Sequence, residues 1–337
     1  MAETRQDEES LNGVTGVLAA FKHSPVVALG ELHRVQEVAD FVSALVHHPH
    51  FPMLVNDIVV EFGNARYQAL MDRFIVGEPI ADAALRCVWR DVLSSPTCDA
   101  PIYEHFFRTV RAVNRTLPPD LQIRVVLGDP PIDWKVVHSI DDVRPFLDRD
   151  VHLAAVVEQA VLQRGRRALV IAGVLHVVRN PVPRWTPRGF DDGTAVHIIE
   201  ANYPNIVYSI VPHVGFSERN DELEPQLATW PLPALLPTRG TWIGALSPNL
   251  LFAAGMEWDG DDPYAHLTLA EVADAYLYLG PRASLTASHP NPAIYRGDPA
   301  YVAELQRRHK LMFDTPLNLE ALYAEEPVRY RRPGQEC

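Results

Sequence analysis

Four apolar runs in this chain end on side chains that can move a proton or bind a cation. Val26-Val27-Ala28-Leu29 leads into Gly30-Glu31-Leu32-His33, and Ile58-Val59-Val60 ends on Glu61. Val125-Val126-Leu127-Gly128 ends on Asp129, and Val170-Ile171-Ala172-Gly173 passes through Val174-Leu175 to His176. Carboxylates and imidazoles are the usual proton carriers near neutral pH. The same groups ligate zinc, manganese(II) or iron(II). Glu31 and His33 therefore form either an acid/base pair or half of a metal site. Glu61 closes a run that reads as buried on both faces, where an ionised carboxylate needs a partner or a function. If strands 1 and 2 lie side by side, Glu61 comes near Glu31, and two close carboxylates share a cation or raise one pKa.

Each of these residues also has a plainer explanation. Glu31 could cap a helix, Glu61 could pair with Arg66, His176 could be structural, and Asp129 suits a turn before Pro130. Their coincidence at four equivalent run ends favours a site. Gly173 allows the turn that brings His176 back over the strand end. The candidate catalytic residues are thus Glu31, His33, Glu61, His176 and Asp129, and the candidate metal ligands are Glu31, His33, Glu61 and His176.

The elements that must position them alternate between strand and helix. Strands are expected at 26–29, 57–62, 123–127, 168–172, 206–211 and 272–279. Between them, apolar residues such as Val35, Val38, Val42, Leu45 and Val46 recur at three and four, the period of an amphipathic helix. Helices are expected at 35–47, 64–76, 81–93, 101–117, 141–163, 194–202 and 299–312. Gly165 is a left-handed cap for the helix at 141–163, and 181–187 is an extended proline-rich stretch. The pattern predicts an α/β fold: an open, mainly parallel sheet covered by helices on both faces. Chemistry in such sheets collects at the carboxyl ends of the strands. The division expected is an N-terminal arm (1–23), an α/β core carrying the site (24–216), a proline- and tryptophan-rich irregular segment resembling a lid (217–265), and a C-terminal strand and helix completing the core (266–337).

Composition limits the function. The 337 residues carry 30 Lys and Arg against 43 Asp and Glu, a formal net charge of -13. That balance disfavours nucleic acid and anionic membranes, which need a basic surface. No apolar run has the length of a membrane span. Residues 1–13 lack the basic and apolar regions of a signal peptide. The expectation is a soluble chain, cytoplasmic by default, acting on a small-molecule or peptide substrate. Cys87, Cys98 and Cys337 form neither a disulfide framework nor a zinc motif. His47, His48 and His50 read as a surface cluster, and Asp259, Asp261 and Asp262 lack calcium-loop spacing. Gly-x-Gly-x-x-Gly, P-loop and Gly-x-Ser-x-Gly motifs are absent.

Three of the run ends together resemble a known signature. Leu29-Gly30-Glu31-Leu32-His33, Val59-Val60-Glu61-Phe62 and Ile171-Ala172-Gly173-Val174-Leu175-His176-Val177 resemble the motifs of the erythromycin esterase-like/ChaN-like superfamily, over residues 24–215. That group includes macrolide esterases, TIKI/TraB proteases and haem-binding uptake proteins. Leu127-Gly128-Asp129 is similar to a Gly-Asp element of the esterase branch. The resemblance implies a pocket built from Glu31, His33, Glu61 and His176. It implies a hydrolase-like activity on an ester or amide, with or without a divalent metal, or alternatively haem or metal binding without turnover. The esterases tend to carry Gly-Glu-x-x-His-Gly. Here His33 comes one residue earlier and Arg34 follows, closer to the ChaN/TIKI pattern.

Overall fold

Burial along the strands sets the architecture. In the computed structural model, which describes residues 12–179, 184–186, 189–191, 193–213, 219–251 and 266–324, the strands are β1 (Val26–Glu31), β2 (Asp57–Asn64), β3 (Arg124–Asp129), β4 (Ala168–Gly173), a small hairpin of β5 (Arg184–Thr186) and β6 (Gly189–Asp191), then β7 (Val207–Pro212), β8 (Ala234–Pro237) and β9 (Ala275–Tyr278). Every residue of β1, β2 and β4 is buried, which requires cover on both faces. Alternate residues divide between two cores. Val27, Leu29, Ile58, Val60, Leu169 and Ile171 enter one, while Val26, Ala28, Val59, Val170 and Ala172 enter the other.

The first core is closed by α1 (Gly13–Ala20), α2 (Gln36–His47), α3 (Gln68–Ile75) and α4 (Pro101–Asn114). The second is closed by α5 (Arg149–Ala160) and α6 (Ala195–Asn202). Each helix supplies an apolar stripe at helical spacing, such as Phe106, Phe107 and Val110 on α4 or Leu153, Ala154 and Val157 on α5. Truncating the fully buried Phe107 to alanine would cost about 3–5 kcal/mol.

Seven strands form one sheet in the order β3-β2-β4-β1-β7-β9-β8. It is parallel except for β8, which pairs antiparallel with β9. β1 and β2 are not neighbours as expected. β4 lies between them, pairing from Val26↔Ala168 to Glu31↔Gly173 on one side and from Asp57↔Ala168 to Val60↔Ile171 on the other. The carboxylates of Glu31 and Glu61 are thereby separated by the width of a strand that ends on a glycine.

Several local expectations change. The N-terminal arm is helical from residue 13: Asn12 caps α1, and Val17, Leu18 and Phe21 are buried. Residues 1–11 lie outside the described residues. The helix expected at 141–163 is broken at Pro145 into a turn at Ile140–Val143, a tighter turn at Arg144–Phe146 and α5. Pro145 removes a helical donor within the tighter turn, and the backbone leaves the helical region at Asp148, with φ -80° and ψ 66°. The helix at 81–93 is two single turns, Asp82–Leu85 and Cys87–Arg90.

The segment read as irregular, 217–265, contains α7 (Arg219–Leu227) and the edge strand β8. Its Trp230 packs on Tyr278 and Trp242. Residues 252–265 lie outside the described residues, as do 180–183 and 187–188 of the proline-rich stretch. A capped turn, Leu269–Val272, precedes β9 where a longer strand was expected. The C-terminal helix is α8 (Pro299–Phe313), capped by Asp298. No helix among the described residues is long and apolar enough to cross a membrane.

Candidate functional site

The five residues singled out at the strand ends fall into two groups on either side of Gly173: Glu31 with His33, and Glu61 with His176 and Asp129, the second group joined through Arg149 and Asp150 of α5. Glu31 ends β1 and is buried. Two residues on, His33 returns over the strand end, and its Nδ1 lies 2.8 Å from Glu31 Oε1. The chain turns immediately afterwards at Arg34, whose φ of 72° is left-handed. This turn is braced: Ser288 donates its N–H to the Arg34 carbonyl, and Val35 bridges to Ala287. The Tyr103 hydroxyl of α4 donates to Glu31 Oε1 at 3.2 Å and accepts the Arg34 N–H at the same distance.

Gly173, at the end of the intervening strand, makes the crossing possible. A Cβ there would stand 3.3 Å from the His33 ring and 3.4 Å from Glu61 Oε2. Without one, the Gly173 N–H donates to Glu61 Oε2 at 2.5 Å. Gly30 permits a similar close approach deeper in the sheet, where a Cβ would meet Val177 at 3.0 Å. The single turn Val174–Val177 therefore seats against β1 and sets the position of His176.

Glu61 is the hub of the buried region. Its Oε1 lies 2.6 Å from Arg149 Nη2 and 3.1 Å from His176 Nε2. The other nitrogen of His176, Nδ1, is 2.7 Å from Asp150 Oδ1, which also accepts the Ala195 N–H at 2.7 Å. Arg149 reaches Asp129 as well, with Nη2 at 2.8 Å and Nε at 3.0 Å from Oδ1. Asp129 Oδ2 accepts the Leu93 N–H at 2.8 Å. The partner of Glu61 is thus Arg149; Arg66 pairs instead with Asp133 at 2.7 Å.

The charges shape one another. Burial alone would raise the Glu61 pKa, but His176 and Arg149, with a smaller contribution from His33, hold it well below the carboxylate range. Burial dominates at Asp129 and, with the Glu61 charge, pushes it to about 6 against the pull of Arg149. Burial works against the charged form of His176, yet Glu61 and Asp150 more than offset it and raise its pKa. The same contest at His33 also ends in a raised pKa: burial opposes, while the Glu31 hydrogen bond and the charges of Glu31 and Glu61 prevail. Burial and the Glu31 charge push Tyr103 well above its ordinary value, so it remains a hydroxyl donor. Access separates the two histidines: 37% of the His33 side chain is exposed, against 9% of His176.

The residues do not fit the divalent-metal site expected from Glu31, His33, Glu61 and His176. Among the described residues, no three His, Cys, Asp or Glu side chains converge as a ligand set. Both nitrogens of His176 already face carboxylates, and the Arg149 guanidinium supplies the positive charge between Glu61 and Asp129. Sequence reasoning missed Arg149, Asp150 and Tyr103. Arg149 would have stood out only with the helix start placed at 149, because a cation in the first turn opposes the helix dipole and needs another reason to be there.

No family model and no curated protein matches the sequence. Solved structures do superpose. A protein from Bacillus cereus matches with a TM-score of 0.56 at 10% identity, over 83% of this chain and 94% of that one. A succinoglycan biosynthesis protein gives 0.54 at 11% identity, over 82% and 92%. A mutant of the erythromycin esterase EreC in its open conformation gives 0.52 at 12% identity, over 79% and 92%. The fold is that of the erythromycin esterase-like proteins. At these identities the likeness establishes the erythromycin esterase-like fold implied by the three motifs, and it concerns the fold alone.

Proposed function

We propose that this chain, with its erythromycin esterase-like fold, hydrolyses an ester or amide and that His33 is the base that activates water. The observation that carries the proposal is the 2.8 Å contact between His33 Nδ1 and the buried Glu31, on a histidine still open to solvent. With the Nδ1 proton donated to Glu31, the basic lone pair belongs to Nε2. Tyr103 holds Glu31 from the other side, so the imidazole is oriented before substrate arrives.

In the proposed reaction His33 Nε2 takes a proton from water as the water oxygen bonds to the carbonyl carbon. The resulting imidazolium then returns that proton to the leaving oxygen or nitrogen as its bond to carbon breaks. Negative charge grows on the carbonyl oxygen between these steps, and the Arg149 guanidinium is the cation assigned to stabilise it. Glu61 and Asp129 fix the guanidinium in place, and His176 with Asp150 fixes Glu61. These buried residues position the site, while His33 does the proton transfer.

The test is His33→Gln against wild type on p-nitrophenyl esters and peptide anilides, with circular dichroism as the folding control. Loss of the base should lower kcat/KM by about 100- to 10,000-fold with the spectrum unchanged. A folded His33→Gln enzyme turning over at the wild-type rate would remove His33 from the chemistry.

A further inference from the structure

Arg34 directly follows His33 and holds a backbone conformation that costs an arginine free energy. Its φ of 72° lies in the left-handed region, where a Cβ crowds the following carbonyl and glycine escapes the penalty. The other non-glycine residues with positive φ among the described residues are Asn205 and Asp314, the types that tolerate it best. The turn itself uses only the Arg34 backbone: its N–H donates to Tyr103, its carbonyl accepts from Ser288, and Val35 bridges to Ala287. A glycine would serve that turn at no steric cost, so the side chain needs its own reason to be there.

That reason is not a salt bridge within the fold. Among the described residues the half-buried Arg34 guanidinium makes no hydrogen bond and no ion pair. Other arginines around the strand ends are committed: Arg66 to Asp133, Arg90 to Asp99 and Asp298, Arg149 to Glu61 and Asp129. Nearby carboxylates are committed too. Glu31 holds His33, Glu37 takes the N–H and hydroxyl of Thr286, and Asp99 takes the hydroxyls of Tyr295 and Tyr301. The Arg34 Cα is one peptide, about 3.8 Å, from that of His33. Its charge reaches Tyr295, where Arg90 and Arg34 oppose the rise that burial and Asp99 impose on the phenol. A half-buried cation without a counterion, next to the base, is placed to pair with an anion that the substrate brings. With the Glu31 and Glu61 carboxylates close by, a singly charged carboxylate meets less repulsion there than a doubly charged phosphate.

We propose that the substrate carries a carboxylate, that Arg34 pairs with it, and that Arg34 thereby sets a preference for anionic over neutral esters or amides. This rests on the reading of His33 as the hydrolytic base, so the experiment has one arm that needs turnover and one that does not. In the first, the mono-p-nitrophenyl esters of glutaric, adipic and pimelic acid are each compared with the neutral ester of equal length: pentanoate, hexanoate and heptanoate. For at least one pair, wild-type kcat/KM should favour the acid by about five- to tenfold, the worth of a charge-assisted bond partly screened by solvent. The preference should shrink as salt is added. Arg34→Gly, which accepts the left-handed turn, should remove it, and Arg34→Lys should keep part of it. In the second arm, γ-acetylbutyrate and its neutral counterpart, methyl butyl ketone, are titrated calorimetrically. The ketoacid should bind wild type more tightly than the ketone and lose that advantage in Arg34→Gly. Equal turnover of acid and neutral esters with no ketoacid advantage overturns the assignment of Arg34 and leaves hydrolysis standing. A ketoacid advantage lost in Arg34→Gly, without turnover of any ester, supports the carboxylate site and overturns the hydrolytic reading. Displacement of the ketoacid by inorganic phosphate at a lower concentration than by acetate makes the anion a phosphate and overturns the carboxylate. A marked fall in the melting temperature of Arg34→Gly assigns the side chain to the fold and overturns the proposal.

Discussion

Replacing Glu31 with glutamine keeps the side-chain size and an acceptor oxygen but removes the charge 2.8 Å from His33 Nδ1. A hydrogen bond to a charged group contributes about 1.5–3 kcal/mol. Since 37% of the His33 side chain is exposed, screening reduces this to about 1–1.5 kcal/mol. The imidazole pKa should therefore fall once the charge is gone. The sign follows from the balance at His33: burial pulls its pKa down, and the Glu31 hydrogen bond and charge are the main forces lifting it. A base works when unprotonated, so wild-type kcat/KM should fall as pH drops through the raised His33 value. In Glu31→Gln that acid limb should move to lower pH. The plateau above it should drop about tenfold or more, because a weaker, less oriented base remains. The assay is kcat/KM for a p-nitrophenyl ester across about pH 5 to 8, paired with an imidazole NMR titration of both proteins. An acid limb that stays in place or moves upward in the variant would refute the role given to the pair.

Two further substitutions probe the supporting residues. Arg149→Met strands Glu61 and Asp129 without their shared cation, and should destabilise the fold by about 3 kcal/mol, the lower end for breaking a buried pair; urea unfolding measures it, and Arg149→Lys should recover some of the loss. Gly173→Ala places a methyl group 3.3 Å from the His33 ring and should lower kcat by about three- to fivefold through displacement of the imidazole by a few tenths of an ångström. Thermal unfolding should barely change in that variant, and an unaffected kcat would show that the close approach over Gly173 is not needed.

The strand ends were legible because the sequence concentrates them: long β-branched runs read as buried strands, and each run stops on a charged or imidazole residue. The fold class followed from the alternation of those runs with helical periodicity. Strand order was not legible, since every parallel partner of β1 is distant in sequence and no local pattern names it. The same limit hid how Glu31 and Glu61 relate, for they meet across Gly173 rather than side by side. Arg149 and Asp150 were hidden by a boundary error. With the helix read as starting at 141, they looked like mid-helix surface charges instead of the first turn of α5. The metal expectation rested on the same donor types, and what no local pattern revealed is the guanidinium that lies between Glu61 and Asp129.

The insertion of β4 between β1 and β2 also bears on how the protein comes into being. As the chain is made from its N-terminus, β1 and β2 emerge early, and the strand that joins them arrives only with residues 168–173. Until then the two bare edges face a growing polypeptide, and unpaired strand edges are where nascent chains associate wrongly. Residues 1–148 hold Glu31, His33, Glu61 and Asp129 but none of the groups that set Glu61 in place. Catalytic competence is therefore expected late in biosynthesis and all at once, when the central strand slots home and brings its histidine with it.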